Sequence, residues 1–298
     1  MKKEINEEVS FSLETLWKAI IRPPKESYTF KDLGPKEFMS YGKNYIRKDY
    51  RIIGYSGNIL QCSFYENERC TIDSKTLPVI IFCHGNSSCQ LEIKFYLNKI
   101  LQEDINIFTF DFSGCGKSEG EYISLGLYEK LDLKNIIDFV YKLPNVGKIG
   151  LWGHSMGAAT ILLYGAKDPR VTCMCVDSPF SDLSLLLKEF ADSTITVPGF
   201  VFSSAYSLAR SMVYNRNQMD IDKIKPIDEV KNIGIPIYFI HAMKDQLIKS
   251  EHSLKLYEAC GSFFKYINIC EGDHNSIRPD NIINKILEFF KNYLFRKL

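Results

Sequence analysis

Apolar and polar positions alternate in a regular rhythm along the chain from residue 50 onward. Short apolar runs, typical of buried strands, are followed by segments whose apolar residues recur at helical spacing. The first two runs flank Ser56-Gly57-Asn58 and predict a β-hairpin. The predicted strands are 50–55, 59–65, 78–83, 105–110, 148–152, 171–176, 235–240 and 264–269, and the predicted helices are 91–101, 125–143, 156–166, 250–260 and 281–295. Repeated strand–helix units predict an α/β fold with a mostly parallel sheet and helices on both faces.

The rhythm breaks between residues 178 and 233, where short helical patterns surround Pro198-Gly199. A long insertion between two strands at the ligand-binding end of a sheet is often a lid. The alternative is a set of extra helices that pack at the sheet edge. We therefore expect residues 50–298 to form one domain with a lid insertion at about 179–233.

An N-terminal helix is predicted by apolar residues at helical spacing, and Arg22-Pro23-Pro24 ends it. Its apolar positions are Val9, Leu13, Leu16, Trp17, Ile20 and Ile21. Helices that lie on a membrane surface are usually rich in Lys and Arg, whereas acidic residues offset the basic ones here. We expect residues 1–49 to form this helix and an extended segment, both packed on the body of the protein. Transient membrane contact through the helix or the lid is the alternative.

Composition and charge exclude several classes of protein. With 45% hydrophobic and 24% charged residues, the chain is neither disordered, collagen-like nor a coiled coil. The net charge is +1 and no basic stripe is present, so we expect no nucleic-acid partner. No apolar run approaches the ~20 residues of a transmembrane helix. Nine cysteines without a Cys-x-x-Cys pair or a secretory signal predict free thiols in the cytoplasm and no metal site.

The strongest chemical signal is Gly153-His154-Ser155-Met156-Gly157, which fits the Gly-x-Ser-x-Gly nucleophile elbow. A predicted strand precedes it and an Ala-rich predicted helix follows, as this motif requires. The glycines permit a sharp turn that exposes the serine hydroxyl at a helix N-terminus, where positive backbone charge favours an anion. Ser155 is therefore the candidate nucleophile.

A serine nucleophile needs a base that an acid holds in place, and these follow later strands in the order Ser, acid, His. Asp245 and His274 each come shortly after a predicted strand, at the same rim of the sheet as Ser155. His274 is the candidate base and Asp245 the candidate acid. Asp177 follows another strand and stays the alternative acid, whereas Asp273 adjoins His274 and is badly placed to reach the far ring nitrogen.

The remaining histidines receive no catalytic role. His252 lies in a polar predicted helix and is expected to be solvated, and His154 is expected to point away from the nucleophile. His241 ends a strand and is expected to be a structural hydrogen-bonding residue.

An oxyanion hole is expected from two backbone N–H groups. One belongs to Met156, which follows the nucleophile. The second comes from the loop after strand 78–83, which reads His84-Gly85-Asn86, and we assign it to Asn86, with Ser87 as the alternative.

A competing motif, residues 111–118 with the sequence DFSGCGKS, ends like a phosphate-binding loop. The full pattern needs Gly at position 111, where this chain has Asp. Because a carboxylate there repels phosphate, we do not expect nucleotide binding.

Together these residues resemble the α/β-hydrolase superfamily over about residues 50–295, and most of all the branch of cytosolic-facing serine hydrolases that includes protein depalmitoylases. The similar stretches are Ile21-Arg22-Pro23-Pro24, His84-Gly85-Asn86, residues 111–120 (DFSGCGKSEG), Gly153-His154-Ser155-Met156-Gly157 and Asp177-Ser178-Pro179-Phe180. The resemblance implies an eight-stranded, mostly parallel sheet, no cofactor, acyl-enzyme chemistry through Ser155, and structural roles for Asp111 and Asp177.

The sequence therefore predicts a serine hydrolase that cleaves carboxylic esters or thioesters of small-molecule or acylated substrates. Apolar residues in the insertion favour medium or long acyl chains. They are Phe190, Ile195, Val197, Phe200, Val201, Phe202, Tyr206, Leu208, Met212 and Val213. Two alternatives are a serine aminopeptidase-like enzyme on the same triad and a non-catalytic binding protein with this fold.

Overall fold

A computed structural model describes residues 17, 18, 20–165, 168–194 and 199–296 of the chain. The strands form one sheet in the order β1-β2-β3-β5-β4-β6-β7-β8-β9. Their bounds are β1 Glu37–Ser40, β2 Lys43–Ile53, β3 Ile59–Asn67, β4 Leu77–Cys83, β5 Asn106–Phe110, β6 Val146–His154, β7 Val171–Asp177, β8 Ile237–Ala242 and β9 Lys265–Cys270. The pairs from β5 through β9 are parallel, and β1, β2 and β3 join antiparallel. The sheet thus follows the predicted mostly parallel α/β pattern.

The described residues form a sheet of nine strands, one more than the expected eight, and the additional strand is the short edge strand β1. Strand β2 begins at Lys43 and not near residue 50, so the sheet reaches into the segment 1–49. The alternation of apolar and polar residues is hard to see in this part of β2, because the buried position 47 carries Arg instead of an apolar residue. Its guanidinium donates to Asp49 and to the carbonyl of Gly34, which satisfies the buried charge.

The helices cover both faces of the sheet. Their bounds are α1 Arg69–Ile72, α2 Leu97–Gln102, α3 Glu129–Val140, α4 Met156–Gly165, α5 Leu183–Thr194, α6 Gly199–Asn217, α7 Pro226–Glu229, α8 Glu251–Ala259 and α9 Asp280–Leu294, with 3-10 turns at Gln90–Phe95, Ile221–Lys223 and Val230–Asn232. Apolar residues of α3, α4 and α8 form one core, and those of α2 and α9 form the core on the opposite face. None of the described helices combines the length and apolar composition that a membrane span requires.

The described part of the insertion 179–233 contributes to the core on the α3–α4 face. Val213, Ile221 and Ile224 are fully buried there, and the Leu183 N–H donates to the Ile224 carbonyl. These contacts anchor the insertion at its base. Residues 195–198, where the sequence places Ile195 and Val197 of the expected lid, lie outside the described residues.

The N-terminal segment also packs on this face. Trp17, Ile20 and Ile21 are buried in the same core, and the guanidinium carbon of Arg216 lies 4.1 Å from the centre of the Trp17 ring. The Ile123 N–H donates to the Ile21 carbonyl. The earlier positions of the predicted helix, Val9, Leu13 and Leu16, lie outside the described residues.

Candidate active site

Ser155 occupies the sharp turn between β6 and α4, as the elbow motif predicts. Its φ of 52° is left-handed, a strained conformation for a residue with a side chain. The flanking glycines make this turn possible: a Cβ on Gly153 would lie 2.6 Å from the Gly157 backbone, and one on Gly157 would lie 2.0 Å from the Cys83 carbonyl oxygen. The Ser155 N–H donates to the Asp177 carbonyl at 2.8 Å, which fixes the turn to β7.

The side chains of Ser155, His274 and Asp245 form one continuous hydrogen-bonded chain. His274 Nε2 lies 2.9 Å from Ser155 Oγ, and His274 Nδ1 lies 2.6 Å from Asp245 Oδ2. An ionised carboxylate can only accept, so Nδ1 carries the ring proton and Nε2 is free to accept from the serine hydroxyl. The three residues follow β6, β8 and β9, whose carboxyl ends meet at one rim of the sheet.

Asp245 is held as a carboxylate by its surroundings. Oδ1 accepts from the N–H groups of Leu247 at 2.9 Å and Ile248 at 2.8 Å. Burial alone would raise the pKa of Asp245, but hydrogen bonds from His241 and His274 and from the Ile248 N–H hold it well below its usual range. The acid is therefore ionised at neutral pH and can fix the His274 tautomer.

His241, which was expected to be a structural hydrogen-bonding residue at the end of β8, lies beside Asp245. Its Nε2 lies 2.7 Å from the Ile248 carbonyl and 3.3 Å from Asp245 Oδ2, and its Nδ1 lies 2.7 Å from Ser253 Oγ. A carbonyl can only accept, so Nε2 carries a hydrogen and donates it to Ile248.

The alternative acid, Asp177, is paired elsewhere. Its carboxylate receives two hydrogen bonds from Arg278, from Nε at 2.8 Å and from Nη2 at 2.9 Å. The described structure therefore brings Asp245, and not Asp177, to the ring of His274. Asp273 is directed at its own loop and accepts from Ser276 Oγ at 2.8 Å.

The two expected oxyanion donors lie beside the nucleophile. Asn86 lines the same cavity as Ser155, and Met156 is the first residue of α4. Within the described part of the chain, neither N–H has a hydrogen-bond acceptor in the protein. The preceding Gly85 approaches closely, since a Cβ there would lie 3.5 Å from Ser155 Cβ. Ser87, the alternative donor, lines the cavity as well.

A cavity of about 490 Å³ opens beside Ser155. Its buried aromatic wall consists of Phe82, Tyr96 and Trp152. At its mouth, Phe95, Leu247 and Ile277 expose 59%, 46% and 57% of their surface; we call these three residues the apolar rim. The structure describes the side chains of the insertion at 179–192 and 204–233, and none of these residues lines this cavity.

His154 was expected to point away from the nucleophile, and its two ring nitrogens contact Glu92 and the loop of His274. Its Nδ1 lies 2.7 Å from Glu92 Oε1 and its Nε2 lies 3.0 Å from the His274 carbonyl oxygen. Glu92 and Arg278 were not predicted from the sequence, because each acquires its partner only through tertiary contacts. The sequence gives one weak indication of the role of Glu92, namely its position seven residues after Gly85.

His252 was expected to be solvated, but it is 1% exposed. Its Nδ1 accepts from the Ser181 N–H at 3.0 Å and lies 2.8 Å from Ser181 Oγ. Its Nε2 lies 3.4 Å from Glu189 Oε2 on α5. The mistake follows from the polar neighbours of His252, since the buried face of α8 consists of His252, Ser253 and Leu256.

The loop that resembles a phosphate-binding loop holds a carboxylate of its own. Asp111 Oδ2 accepts from the Lys117 N–H at 2.8 Å and from the Tyr28 hydroxyl at 2.7 Å. A Cβ on Gly116 would lie 2.4 Å from this carboxylate. The loop therefore closes around Asp111, in agreement with the structural role that the resemblance implies.

Comparison with known proteins supports the same architecture. Residues 78–194 match the family model of the alpha/beta hydrolase fold. The esterase Pf2001 of Pyrococcus furiosus superposes with a TM-score of 0.72 at 22% identity, over 92% of this chain and 98% of that chain. The chain has the α/β-hydrolase fold. A second α/β hydrolase, GrgF from Penicillium sp. sh18, superposes with a TM-score of 0.64 at 18% identity, over 84% of this chain and 99% of that chain.

Sequence relatives of this chain occur in bacteria and in animals. The uncharacterized protein YqkD of Bacillus subtilis is 28% identical over 61% of this chain and 60% of its own length. YfhR of Escherichia coli O157:H7 is 25% identical over 90% of this chain and 85% of its own length. Alpha/beta hydrolase domain-containing protein 17C of Xenopus tropicalis is 22% identical over 81% of this chain and 68% of its own length. These matches support the α/β-hydrolase superfamily that the sequence motifs resemble.

Proposed function

We propose that this protein is a serine hydrolase that cleaves carboxylic esters or thioesters through an acyl-enzyme at Ser155. The observation that carries the proposal is the chain of contacts from Asp245 Oδ2 to His274 Nδ1 at 2.6 Å and from His274 Nε2 to Ser155 Oγ at 2.9 Å. A hydroxyl in contact with a correctly tautomerised imidazole is the arrangement that activates serine. The esterase named among the structural neighbours supports an ester as the substrate.

The proposed reaction has two halves. Ser155 Oγ attacks the acyl carbon while His274 Nε2 takes its proton, and the Asn86 and Met156 N–H groups stabilise the oxyanion. The intermediate then collapses, and the imidazolium returns the proton to the leaving alcohol or thiol. Water, deprotonated by the same imidazole, attacks the acyl-enzyme, and the proton passes to Ser155 Oγ as the carboxylic acid departs. Asp245 stabilises the imidazolium in both halves.

The charges in the cavity favour an ester over an N-terminal peptide. An aminopeptidase needs a carboxylate that is available to the substrate ammonium. Glu92 and Asp177, which line the cavity, are already paired with His154 and Arg278. At either of these carboxylates the substrate ammonium would have to break an existing ion pair, so of the described carboxylates that line the cavity only the exposed Glu26 remains to bind it.

We further propose a preference for medium or long acyl chains, including those of acyl-protein thioesters as in the depalmitoylase branch. Support for this preference comes from the apolar rim, because an acyl chain longer than the cavity can lie across Phe95, Leu247 and Ile277. Each methylene removed from water contributes roughly 0.8 kcal/mol. The expected lid is not needed for this arrangement.

We also propose a reducing location such as the cytoplasm. All nine cysteines are buried free thiols, the state that a reducing compartment maintains.

Turnover of a p-nitrophenyl ester tests the proposed reaction. We expect Ser155→Ala and His274→Ala each to lower kcat by about 10⁴-fold or more, as removal of a triad member does. The matched control is Ser181→Ala, which removes a buried hydroxyl that also contacts a histidine, 2.8 Å from His252 Nδ1, outside the cavity. This control should retain the wild-type kcat. Near-normal turnover in the Ser155 or His274 variant would reject the proposal.

A further inference from the structure

We propose that Glu92, His154 and Arg278 are positioning residues that clamp the loop of the base to the oxyanion loop. The inference rests on the proposed function, since it concerns how that site is held. Its central observation is that the His274 carbonyl oxygen accepts from two cationic side chains. His154 Nε2 lies 3.0 Å from this oxygen and Arg278 Nη2 lies 3.1 Å from it.

The contacts of His154 require a doubly protonated ring. Nδ1 faces the Glu92 carboxylate at 2.7 Å and Nε2 faces the His274 carbonyl at 3.0 Å, and both of these groups are acceptors. Burial alone would lower the pKa of His154, but the charge and hydrogen bond of Glu92 raise it to about 9. The ring is therefore an imidazolium at neutral pH.

Glu92 extends the clamp to the oxyanion loop. Its second oxygen, Oε2, accepts from the Gly85 N–H at 2.9 Å, one residue before the proposed donor Asn86. Burial opposes its charge, yet His154 and the Gly85 N–H lower the pKa of Glu92 to about 2. One carboxylate thus fixes the Gly85 backbone with one oxygen and the imidazolium of His154 with the other.

Arg278 holds the other side of the base loop. Nη1 donates to the carbonyls of Asp273 at 2.9 Å and Ser276 at 3.0 Å, and Nη2 donates to the His274 carbonyl. The same guanidinium is paired with Asp177, whose carbonyl accepts from the Ser155 N–H at 2.8 Å. The clamp therefore joins the loop of the base to the turn of the nucleophile.

The clamp has a pH signature. Above about pH 9 His154 loses a proton, so one of its two ring nitrogens no longer carries a hydrogen. That nitrogen can then no longer donate to the acceptor it faces, Glu92 or the His274 carbonyl. Reaction geometry is sensitive to such a loss, because a misplacement of about 1 Å can cost about 10²-fold in rate. Removal of the Glu92 charge should move this loss to lower pH. The charged and titratable groups around the pair are His84, Asp177, His274 and Arg278.

The test measures kcat and KM for a p-nitrophenyl ester across about pH 6 to 10 in wild type, Glu92→Gln and Glu189→Gln. The Glu189 variant is the matched control, because Glu189 also faces a buried histidine, His252, but outside the cavity. For Glu92→Gln we expect kcat at pH 8 to fall about tenfold or more, KM to change less than about threefold, and the alkaline limb to move down by about one pH unit or more. The Glu189 variant should follow the wild-type profile.

A Glu92→Gln variant whose kcat and alkaline limb match wild type would overturn the clamp. If Glu92 had a purely structural role, Glu92→Gln would have a lower melting temperature and an unchanged alkaline limb. That result would also contradict the clamp. Arg278→Lys provides the complementary result. We expect kcat to fall, because lysine cannot replace the several hydrogen bonds of the planar guanidinium. The alkaline limb of the pH profile should stay in place, since the Glu92–His154 pair is intact.

A measurement on the wild-type protein keeps the inference testable if these variants do not fold. In the ¹⁵N spectrum of histidine-labelled protein at pH 7.5, His154 should show two protonated ring nitrogens; a neutral tautomer there would overturn the clamp. This spectrum does not depend on turnover. Wild type that cleaves no ester would therefore reject the proposed function, while the spectrum still decides on the clamp.

Discussion

At the scale of single residues, the candidate site depends on glycines, which leave room for neighbouring backbone. The nucleophile turn brings β6, α4 and the end of β4 so close that a Cβ at Gly157 would lie 2.0 Å from the Cys83 carbonyl oxygen. Ser155 itself adopts a φ of 52°. This strain is offset by the hydrogen bond from its N–H to Asp177 and by the packing of α4. Glycine at these positions is therefore a requirement of the exposed hydroxyl.

This requirement predicts a sharp difference between two Gly→Ala variants. Gly157→Ala must displace the end of β4, so we expect a loss of unfolding free energy of about 3 kcal/mol or more together with loss of esterase activity. The control, Gly234→Ala, meets no heavy atom within 4 Å and has no left-handed φ. It should change stability by less than about 1 kcal/mol. Urea unfolding of both variants is the measurement, and equal stabilities would contradict this account of the turn.

At the scale of elements, the sequence predicts the sheet and misses some of its charged contacts. Alternation of strand and helix patterns locates β3 to β9, and β4, β5 and β8 are buried along their whole length. The start of β2 escapes the pattern because a buried Arg47 stands where an apolar residue is expected. Ser155, Asp245 and His274 can be identified because they follow strands in a fixed order. Glu92 and Arg278 cannot, since ion pairing between distant elements leaves no periodic signal.

The elements around the cavity also change the view of the substrate. The insertion packs on the core through α5 to α7, and none of its residues at 179–192 and 204–233 lines the cavity. Exposed apolar surface at the cavity comes from Phe95, at the end of a 3-10 turn, and from Leu247 and Ile277. A long acyl group that lies across it would contact the loops that carry Asp245 and His274.

A chain-length series of p-nitrophenyl esters tests this arrangement of loops. We expect kcat/KM to rise from acetyl to esters of about eight to ten carbons, since each further methylene can leave water. The double variant Leu247→Ser/Ile277→Ser should lose about tenfold on the long esters and keep its acetyl activity. The control is Phe263→Ser, which removes an apolar side chain that is 97% exposed and lies outside the cavity. A flat series, or an optimum at acetyl, would contradict the proposed preference.

At the scale of the whole molecule, the fold brings together residues 155, 245 and 274, which are far apart in the sequence. Parallel strands have their carboxyl ends at one rim of the sheet. The loops that follow β6, β8 and β9 therefore meet there, although they are separate in the sequence. The ion pairs Glu92–His154 and Asp177–Arg278 then fix the meeting point. We propose that this convergence makes Ser155 a nucleophile.

Mapping of a fluorophosphonate adduct tests that claim most directly. After reaction of the folded protein, peptide mass spectrometry should find one equivalent of phosphonate on Ser155. Labelling should be lost in Ser155→Ala, strongly slowed in His274→Ala, and unchanged in Ser181→Ala. Labelling that survives in Ser155→Ala, or that maps to another serine in wild type, would contradict the account.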